Sequence, residues 1–558
     1  METPKPVVRI RQFFDSGAYR PWFAGAVVCL LLLGAWVRFS IPLAPITNRD
    51  TGGYISPALA LLVDGTYNPS HRNFPYPGFI WLLLRTTGTF ASISVAQHLL
   101  GLAGAVIFWL TWLRLGVFLP RDWKMTALHA VLGLGLVWGL VLSMHPVFLE
   151  HSMRPEAIYP FVISLHLFGA VCFLECSLIR KSLPLAIWWG LFLTVVSFGI
   201  YVLKPIWGLA AVSGGLPFLI VLFCARGKWR AVPVVAGALG AVAGIALFIL
   251  PDSILSSRHP QPVALINEQL FFVHADLIER ELRRDLAKPG DPPFPREILL
   301  ATADKFRAGF NEKILRPYRT LGFDPDLFIY GEVNYQTQKY FQGRPGGVDR
   351  FYRHYYVQAW LRQPFQMLWK ILRELGVFYR CDGKLTRSGT VLQFHKWYAE
   401  SVEILAEPDY LKPFRRWSPF RDYMAEVRRT TASDEPYRRD LMLAFLSVVN
   451  ATYVVVLGLF LVAGFLWGRK KSLPGVPLLW LGAWIFSYNF AITLTVALVH
   501  SMSIQRYTDT EFCLTLFSFC SGVLFLAAIL TARFYPENGF SVCSASCARN
   551  RRIEVNPT

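Results

Sequence analysis

An all-α polytopic membrane protein is the fold class this chain predicts, with about ten transmembrane helices and a large, mainly helical domain outside them. Three observations predict it. Of the 558 residues, 54% are hydrophobic and only 17% are charged. The apolar residues gather in runs of about 18–25, long enough to cross a hydrocarbon slab as helices. The polar joints between the runs alternate in character, which is how a chain weaving through a bilayer reads.

The runs lie near 22–41, 92–114, 126–145, 157–179, 184–202, 206–225, 231–250, 441–467, 475–499 and 508–531. Lys5, Arg9, Arg11 and Arg20 precede the first. It is too long for a signal-peptide core and no A-x-A site follows it, so it reads as an uncleaved anchor. Basic joints follow the second run (RLGVFLPRDWK, 114–124), the fourth (IRK, 179–181), the sixth (ARGKWR, 225–230) and the eighth (GRKK, 468–471). The tail carries Arg533, Arg549, Arg551 and Arg552. The positive-inside rule places these joints and both termini in the cytoplasm. The other side then holds 42–91, 145–159, 201–207, 251–440 and 499–512. The predicted organisation is a cytoplasmic N-terminus (1–21), a membrane core (22–250) with an outer loop at 42–91, and an outer domain (251–440). C-terminal spans (441–531) and a cytoplasmic tail (532–558) complete it.

The formal charge of +19 does not point to nucleic acid, because basic residues in membrane proteins gather in short cytoplasmic loops and beside phospholipid head groups. Segment 251–440 is also rich in Arg and Lys, but long segments cross the membrane largely regardless of charge. Of nine cysteines, Cys381 alone lies in that segment, so no disulfide is expected within it. Cys543 and Cys547 have metal-like spacing without a second pair and read as incidental. Span centres are nearly free of ionisable residues; Arg38 and Glu175 lie near ends. No Gly-rich P-loop occurs, so direct use of a nucleotide sugar is not expected.

The outer segments have helical signals. ISPALALLVDG (55–65) is spaced as a short amphipathic helix ended by Asp64-Gly65. Pro75 and Pro77 punctuate RNFPYPGFIWLLLR before a second apolar stretch. Residues 264–288 read as one charged-faced helix closed by Pro289-Gly290. Segment 348–379 mixes aromatics with arginines, as helices lying along a membrane surface do.

Chemistry-bearing residues also gather on the outer side. Asp50, in TNRDTGGYI, is either an N-cap or a reactive carboxylate, with Arg49 or Arg72 as its ion-pair partner in both cases. Glu156 opens the fourth span, where an acidic residue also suits the helix dipole; Glu150 is a nearby competitor. Lys204, in LKP, is either a snorkelling lysine or a phosphate ligand. Arg506 and Tyr507 are an interface anchor or part of a site, and His500 alone names no reaction. Together they place two carboxylates and two cations at the outer ends of different spans. Such a set suits transfer of a group from a lipid phosphate: cations neutralise charge on the departing phosphate, and a carboxylate takes the proton of an attacking hydroxyl.

RDTGGYISPALALLVDG, RNFPYPGFIWLLL, RPEAIYPFVISLHL and LKPIWGL, in that order, resemble the GT-C superfamily of polytopic glycosyltransferases. The branch of protein mannosyltransferases and the lipid A aminoarabinose transferase is the most similar. The resemblance runs to about residue 225 and implies a polyprenyl-phosphate sugar as donor and a lipid, glycan or protein as acceptor. It also implies action on the outer face of a bacterial inner membrane. It matches Asp50 and Tyr54 to the first-loop acidic residue and tyrosine, Glu156 to the second acidic residue, and Lys204 to the lysine joint. Taking the residue reading and the resemblance together, Asp50 and Glu156 are the expected catalytic residues, and Arg49, Tyr54, Arg72, Lys204, His500, Arg506 and Tyr507 the expected substrate contacts. The aminoarabinose branch carries Glu-Lys before its first-loop prolines, where this chain has Asn73-Phe74 and Arg72 remains as the cation. The mannosyltransferase Asp-Glu pair is also absent, since Thr51 follows Asp50. No cofactor is expected; outer carboxylates are of the kind that hold a divalent ion, but no ligand set is legible. Three other readings stay open: a lipid-to-lipid phosphoryl or oligosaccharide transferase, a lipid transporter, and a non-catalytic envelope-assembly protein. A transporter calls for inverted repeats and midplane charges, and neither is seen here.

Overall fold

The computed structural model describes residues 6–534, apart from 49, 68–71, 121, 226, 258–264, 315–317, 345, 381–393, 407–408, 433–441, 469–475 and 500–504. Among the described residues the regular structure is helical, with one isolated bridge between Ile46 and Ser152. Among the described residues, ten helices are long and apolar enough to cross a membrane. They are Tyr19–Phe39, Ala91–Phe118, Trp123–Leu142, Tyr159–Arg180, Leu183–Leu203, Pro205–Cys224, Gly227–Leu255, Leu443–Leu466, Leu478–Val499 and Tyr507–Thr531. Each overlays a run expected from sequence.

The third run was expected to continue to 145, but its helix stops at Leu142. Ser143 is extended, and its hydroxyl accepts from the N–H of His145 to start a separate buried helix, Met144–His151. This side-chain cap is what divides one apolar run into two helices. The fourth, ninth and tenth spans form the centre of the bundle, with 72% of their apolar stretch buried in protein against 17% for the first span. Small residues set the close approaches. A Cβ on Gly190 would lie 2.6 Å from Ala236 Cβ, and one on Gly240 would lie 2.5 Å from Thr194 Cβ, so the fifth and seventh spans touch backbone to backbone.

Long segments join the spans on one face of the bundle, called here the loop-rich face. The helix expected over 55–65 runs Gly52–Val63, ending before Gly65 at φ +68. Pro75 and Pro77 stand in the first turn of helix Pro75–Thr87 instead of interrupting it, a turn whose N–H groups have no intrahelical partner to lose. The stretch 264–288 is two helices, Leu265–Val273 and Ala275–Ala287, broken at His274. Segment 348–379 is likewise two, Gly347–Arg362 and Pro364–Phe378, because Pro364 cannot continue a helix and pushes Gln363 out of helical geometry.

Segment 251–440, one domain on the sequence reading, supplies two cores. Phe271, Phe306, Phe328, Phe351 and Tyr352 centre an aromatic core of its own. Tyr398, Phe420, Tyr423 and Val427, on helices Phe394–Ala406 and Ser418–Thr431, belong to the core of the spans.

Candidate functional site

The backbone stitches the two carboxylate-bearing segments together. Ile46 N–H donates to the carbonyl of His151 at 2.9 Å, and Met153 N–H to that of Ile46 at 3.0 Å. The Thr51 hydroxyl donates to the Met153 carbonyl at 3.2 Å. From above, Tyr398 donates to the Ala44 carbonyl (2.5 Å), Tyr423 to that of Pro45 (2.7 Å), and the N–H of Thr47 to Ser401 Oγ (3.0 Å). A strand-like stretch that would otherwise leave backbone groups unsatisfied is thus pinned on both sides.

Beneath it, Glu150 accepts two hydrogen bonds from Arg38, and its Oε2 lies 3.0 Å from His98 Nδ1. His98 Nε2 is 3.3 Å from His151 Nδ1, and His151 Nε2 is 2.7 Å from the Tyr398 hydroxyl. Burial, then the charge of His98, holds His151 well below the ordinary histidine range. Glu150, the alternative to Glu156, is therefore occupied as the anchor of the segment that carries Glu156.

Asp50 does not stand at the N-cap. Thr51 occupies that position, and no side-chain cap forms there. The Asp50 carboxylate instead faces Arg72, with Oδ1 3.6 Å from Nη2. Arg72 in turn lies over the Tyr54 ring, 4.8 Å from its centroid, a cation–π geometry. A Cβ on Gly53 would come within 3.2 Å of Arg72 Nε, so glycine there lets the guanidinium lie against the helix. The Arg72 segment is fixed by its own neighbours. Tyr67 donates to the Arg72 carbonyl (3.3 Å), Asn73 to the Val202 carbonyl (2.7 Å), and the N–H of Phe74 to Asp252 (2.7 Å). Asn73 thereby ties this loop to the end of the span that leads into Lys204.

Glu156 and Lys204 form an ion pair with side chains 3% and 15% exposed. Lys204 is turned into the protein, 5.6 Å from the Trp207 ring, and does not snorkel. Both turns have the same origin. Arg154 and Lys204 each precede a proline and are extended, at φ −158 ψ 157 and φ −158 ψ 109, as that position demands. Short 3₁₀ turns, Pro155–Ala157 and Pro205–Trp207, then lead into the fourth and sixth spans.

The two pairs belong to one site. Burial opposes the charge on Arg72, but Tyr54, Asp50, Glu156 and Tyr330 outweigh it and raise its pKa above the ordinary arginine value. Burial and then Glu156 raise the Tyr76 phenol, which stays protonated and donates to Gln97 at 2.7 Å. Gln97 donates to the carbonyls of Glu150 and Ser152. Tyr54 and Tyr76 meet edge to face, ring centres 5.4 Å apart.

Of the residues expected at the site, Asp50, Tyr54, Arg72, Glu156 and Lys204 are brought together. Tyr507 stands one layer away, packed with Phe378 and Val496 against Ile206. Arg506 lies in the first turn of helix Gln505–Phe534. Arg49, His500, Cys381, Cys543 and Cys547 lie outside the described residues, as does the Arg506 side chain. Sequence reasoning passed over Tyr76, Gln97, Arg154 and Tyr330. Arg154 is buried, and its Nε has no hydrogen-bond partner among the described residues. The RP dipeptide ahead of Glu156 was the available signal. Among the described residues no group of three or more His, Cys, Asp or Glu is placed to hold a metal ion.

The fold and this site define an all-α, polytopic integral membrane protein whose ionisable residues converge where several spans end. No family model, curated protein or solved structure matches the chain.

Proposed function

We propose that this protein is a membrane glycosyltransferase of the GT-C kind its first half resembles. It moves one sugar from a polyprenyl phosphate to a hydroxyl-bearing lipid, glycan or protein on the outer face of the membrane. The observation that carries the reading is the pairing of two carboxylates with two cations, Asp50 with Arg72 and Glu156 with Lys204, on segments that the backbone holds together.

Asp50 takes the proton of the acceptor hydroxyl as its oxygen bonds to the anomeric carbon. The bond from that carbon to the phosphate oxygen breaks, and the pair of electrons leaves with the polyprenyl phosphate. Arg72 and Lys204 neutralise the charge that grows on that phosphate. Phosphate leaves readily, so no general acid is needed. The Asp50–Arg72 pair suits exchange with a ligand, because it is about a quarter exposed and long at 3.6 Å, and such pairs contribute only about 0–1 kcal/mol. Glu156 holds Lys204 in place.

The test is donor consumption by purified protein in lipid nanodiscs containing polyprenyl-phosphate pentoses and hexoses and a membrane extract as acceptor. Release of polyprenyl phosphate together with transfer of labelled sugar to the extract is the expected result. Intact donor in every combination, from protein that remains folded, overturns the reading.

A further inference from the structure

We infer that helix Pro364–Phe378 is an in-plane membrane helix, with Phe365, Leu368, Trp369 and Leu372 inserted among the lipid chains of the leaflet on the loop-rich face. This inference does not depend on the proposed reaction. The helix has two apolar faces. One is covered: Met367 enters the aromatic core, and Ile371 and Leu375 pack on the ninth span at Ala497, Leu494 and Leu498. The other is bare, with Phe365 84% and Trp369 67% exposed and Leu368 and Leu372 about half exposed. Leu361, on the preceding helix, continues the patch. Spacing of i, i+3, i+4 and i+7 places the four side chains on one stripe.

What covers that stripe follows from where the helix docks. Phe490, Leu494 and Leu498 succeed one another at i, i+4 and i+8, and so share one face of the ninth span. Phe490 is bare, 47% exposed, on a helix of membrane-spanning length and hydropathy, so that face looks at lipid. Leu494 and Leu498, further along the same face, are the residues that the Pro364–Phe378 helix covers. The helix is therefore seated on a lipid-facing stripe within about 8 Å of the span's end, given the rise per residue of a helix. Interfacial helices bury their apolar face about 5–10 Å into the headgroup–acyl boundary. A tryptophan in that stripe suits the boundary, and the exposed Arg373 lies next to Leu372, as basic residues beside anionic head groups do; Arg362, at the other end, is held by Glu281 and Asp285. At its far end Phe378 packs with Val496 and Tyr507 beside Ile206, two residues beyond Lys204. A helix fixed in the leaflet thus forms part of the wall beside the site.

The unaltered protein is reconstituted in nanodiscs with a phospholipid carrying a photoactivatable diazirine in its acyl chain, illuminated, digested and mapped by mass spectrometry. Lipid adducts are expected on residues 361–372 at a yield like that of Phe490, and not on Tyr335, which is also exposed (67%) but lies on a polar helix. A Phe365→Glu/Trp369→Glu variant is expected to lose the 361–372 adducts and keep those on Phe490. Labelled spans with unlabelled 361–372 overturn the inference, as they would place the stripe in water or under another protein.

Discussion

Arg38 and Glu150 form a doubly hydrogen-bonded ion pair, Nε to Oε2 at 2.7 Å and Nη2 to Oε1 at 2.8 Å, with both side chains buried. Arg38 also donates to the Val141 and Gly34 carbonyls. The pair anchors the Met144–His151 helix, and so the turn bearing Glu156, to the first span. Removing one member leaves the other charged and buried, at a cost of about 3–5 kcal/mol. Glu150→Leu and Arg38→Met should each lower the unfolding midpoint sharply in detergent. The double variant Arg38→Met/Glu150→Leu should regain much of that loss. A double variant as unstable as the sum of the two singles would contradict the coupling.

Gly101 makes room for that carboxylate: a Cβ there would lie 2.0 Å from Glu150 Oε1. Gly101→Ala therefore forces Glu150 off Arg38 or His98 and should destabilise by about 1–3 kcal/mol, the usual range for overpacking. Gly237→Ala has open space at the new methyl and should be neutral or stabilise by up to about 1 kcal/mol. Calorimetry of the two variants reports the contrast, and equal midpoints would refute it.

Arg72 gives a kinetic prediction. Loss of a charge-stabilising donor costs about 10²–10³ in kcat, so Arg72→Met should slow sugar transfer by that factor, with Arg72→Lys between it and wild type. Stability should move by about 1 kcal/mol or less, since the pair with Asp50 is partly exposed. If Arg72→Met transfers at the normal rate, Arg72 is not a phosphate ligand.

Glu374 predicts a pH effect on stability. Burial lifts its carboxyl from 4.5 to about 7, against the pull of Arg373 and Lys370. A carboxyl with a raised folded-state pKa contributes stability that is complete below its unfolded pKa and lost as pH rises through the folded value. His274, buried and lowered to about 3, acts in the opposite sense as pH falls, so Glu374 is isolated by comparing variant with wild type. The advantage of Glu374→Gln should grow between pH 4.5 and 7, the two pKa values concerned, and then level. At about 1.4 kcal/mol per pKa unit it reaches at most about 3–4 kcal/mol. An advantage constant from pH 5 to 8 would exclude this origin.

The spans were legible because a bilayer demands a length of apolar chain, which sequence displays directly. Breaks inside apolar or amphipathic stretches were less so. Ser143 ends a span through a short-range cap on His145, a single polar residue that an apolar run hides, whereas His274 breaks its helix beside a tertiary partner, its Nε2 3.2 Å from the Leu498 carbonyl. Asp50, Glu156 and Lys204 could be picked out as charges at span ends, and the convergence of their segments was expected from topology. Arg72 was one of two cations offered for Asp50, 22 positions away, and the structure pairs them; that Lys204 serves Glu156, across 48 positions, was not legible. Tyr76 and Gln97 escaped notice because each lies in an apolar stretch, where a single polar side chain has no periodicity to mark it.

In the proposed reaction the Asp50 carboxylate removes the acceptor proton. The most direct measurement compares envelope glycolipids and glycans by mass spectrometry in cells carrying wild-type protein, no protein, or Asp50→Asn at normal membrane level. The null and the Asp50→Asn cells are expected to lose the same sugar mass. An Asp50→Asn strain that keeps the sugar missing from the null would contradict that role of Asp50 and move the base to Glu156.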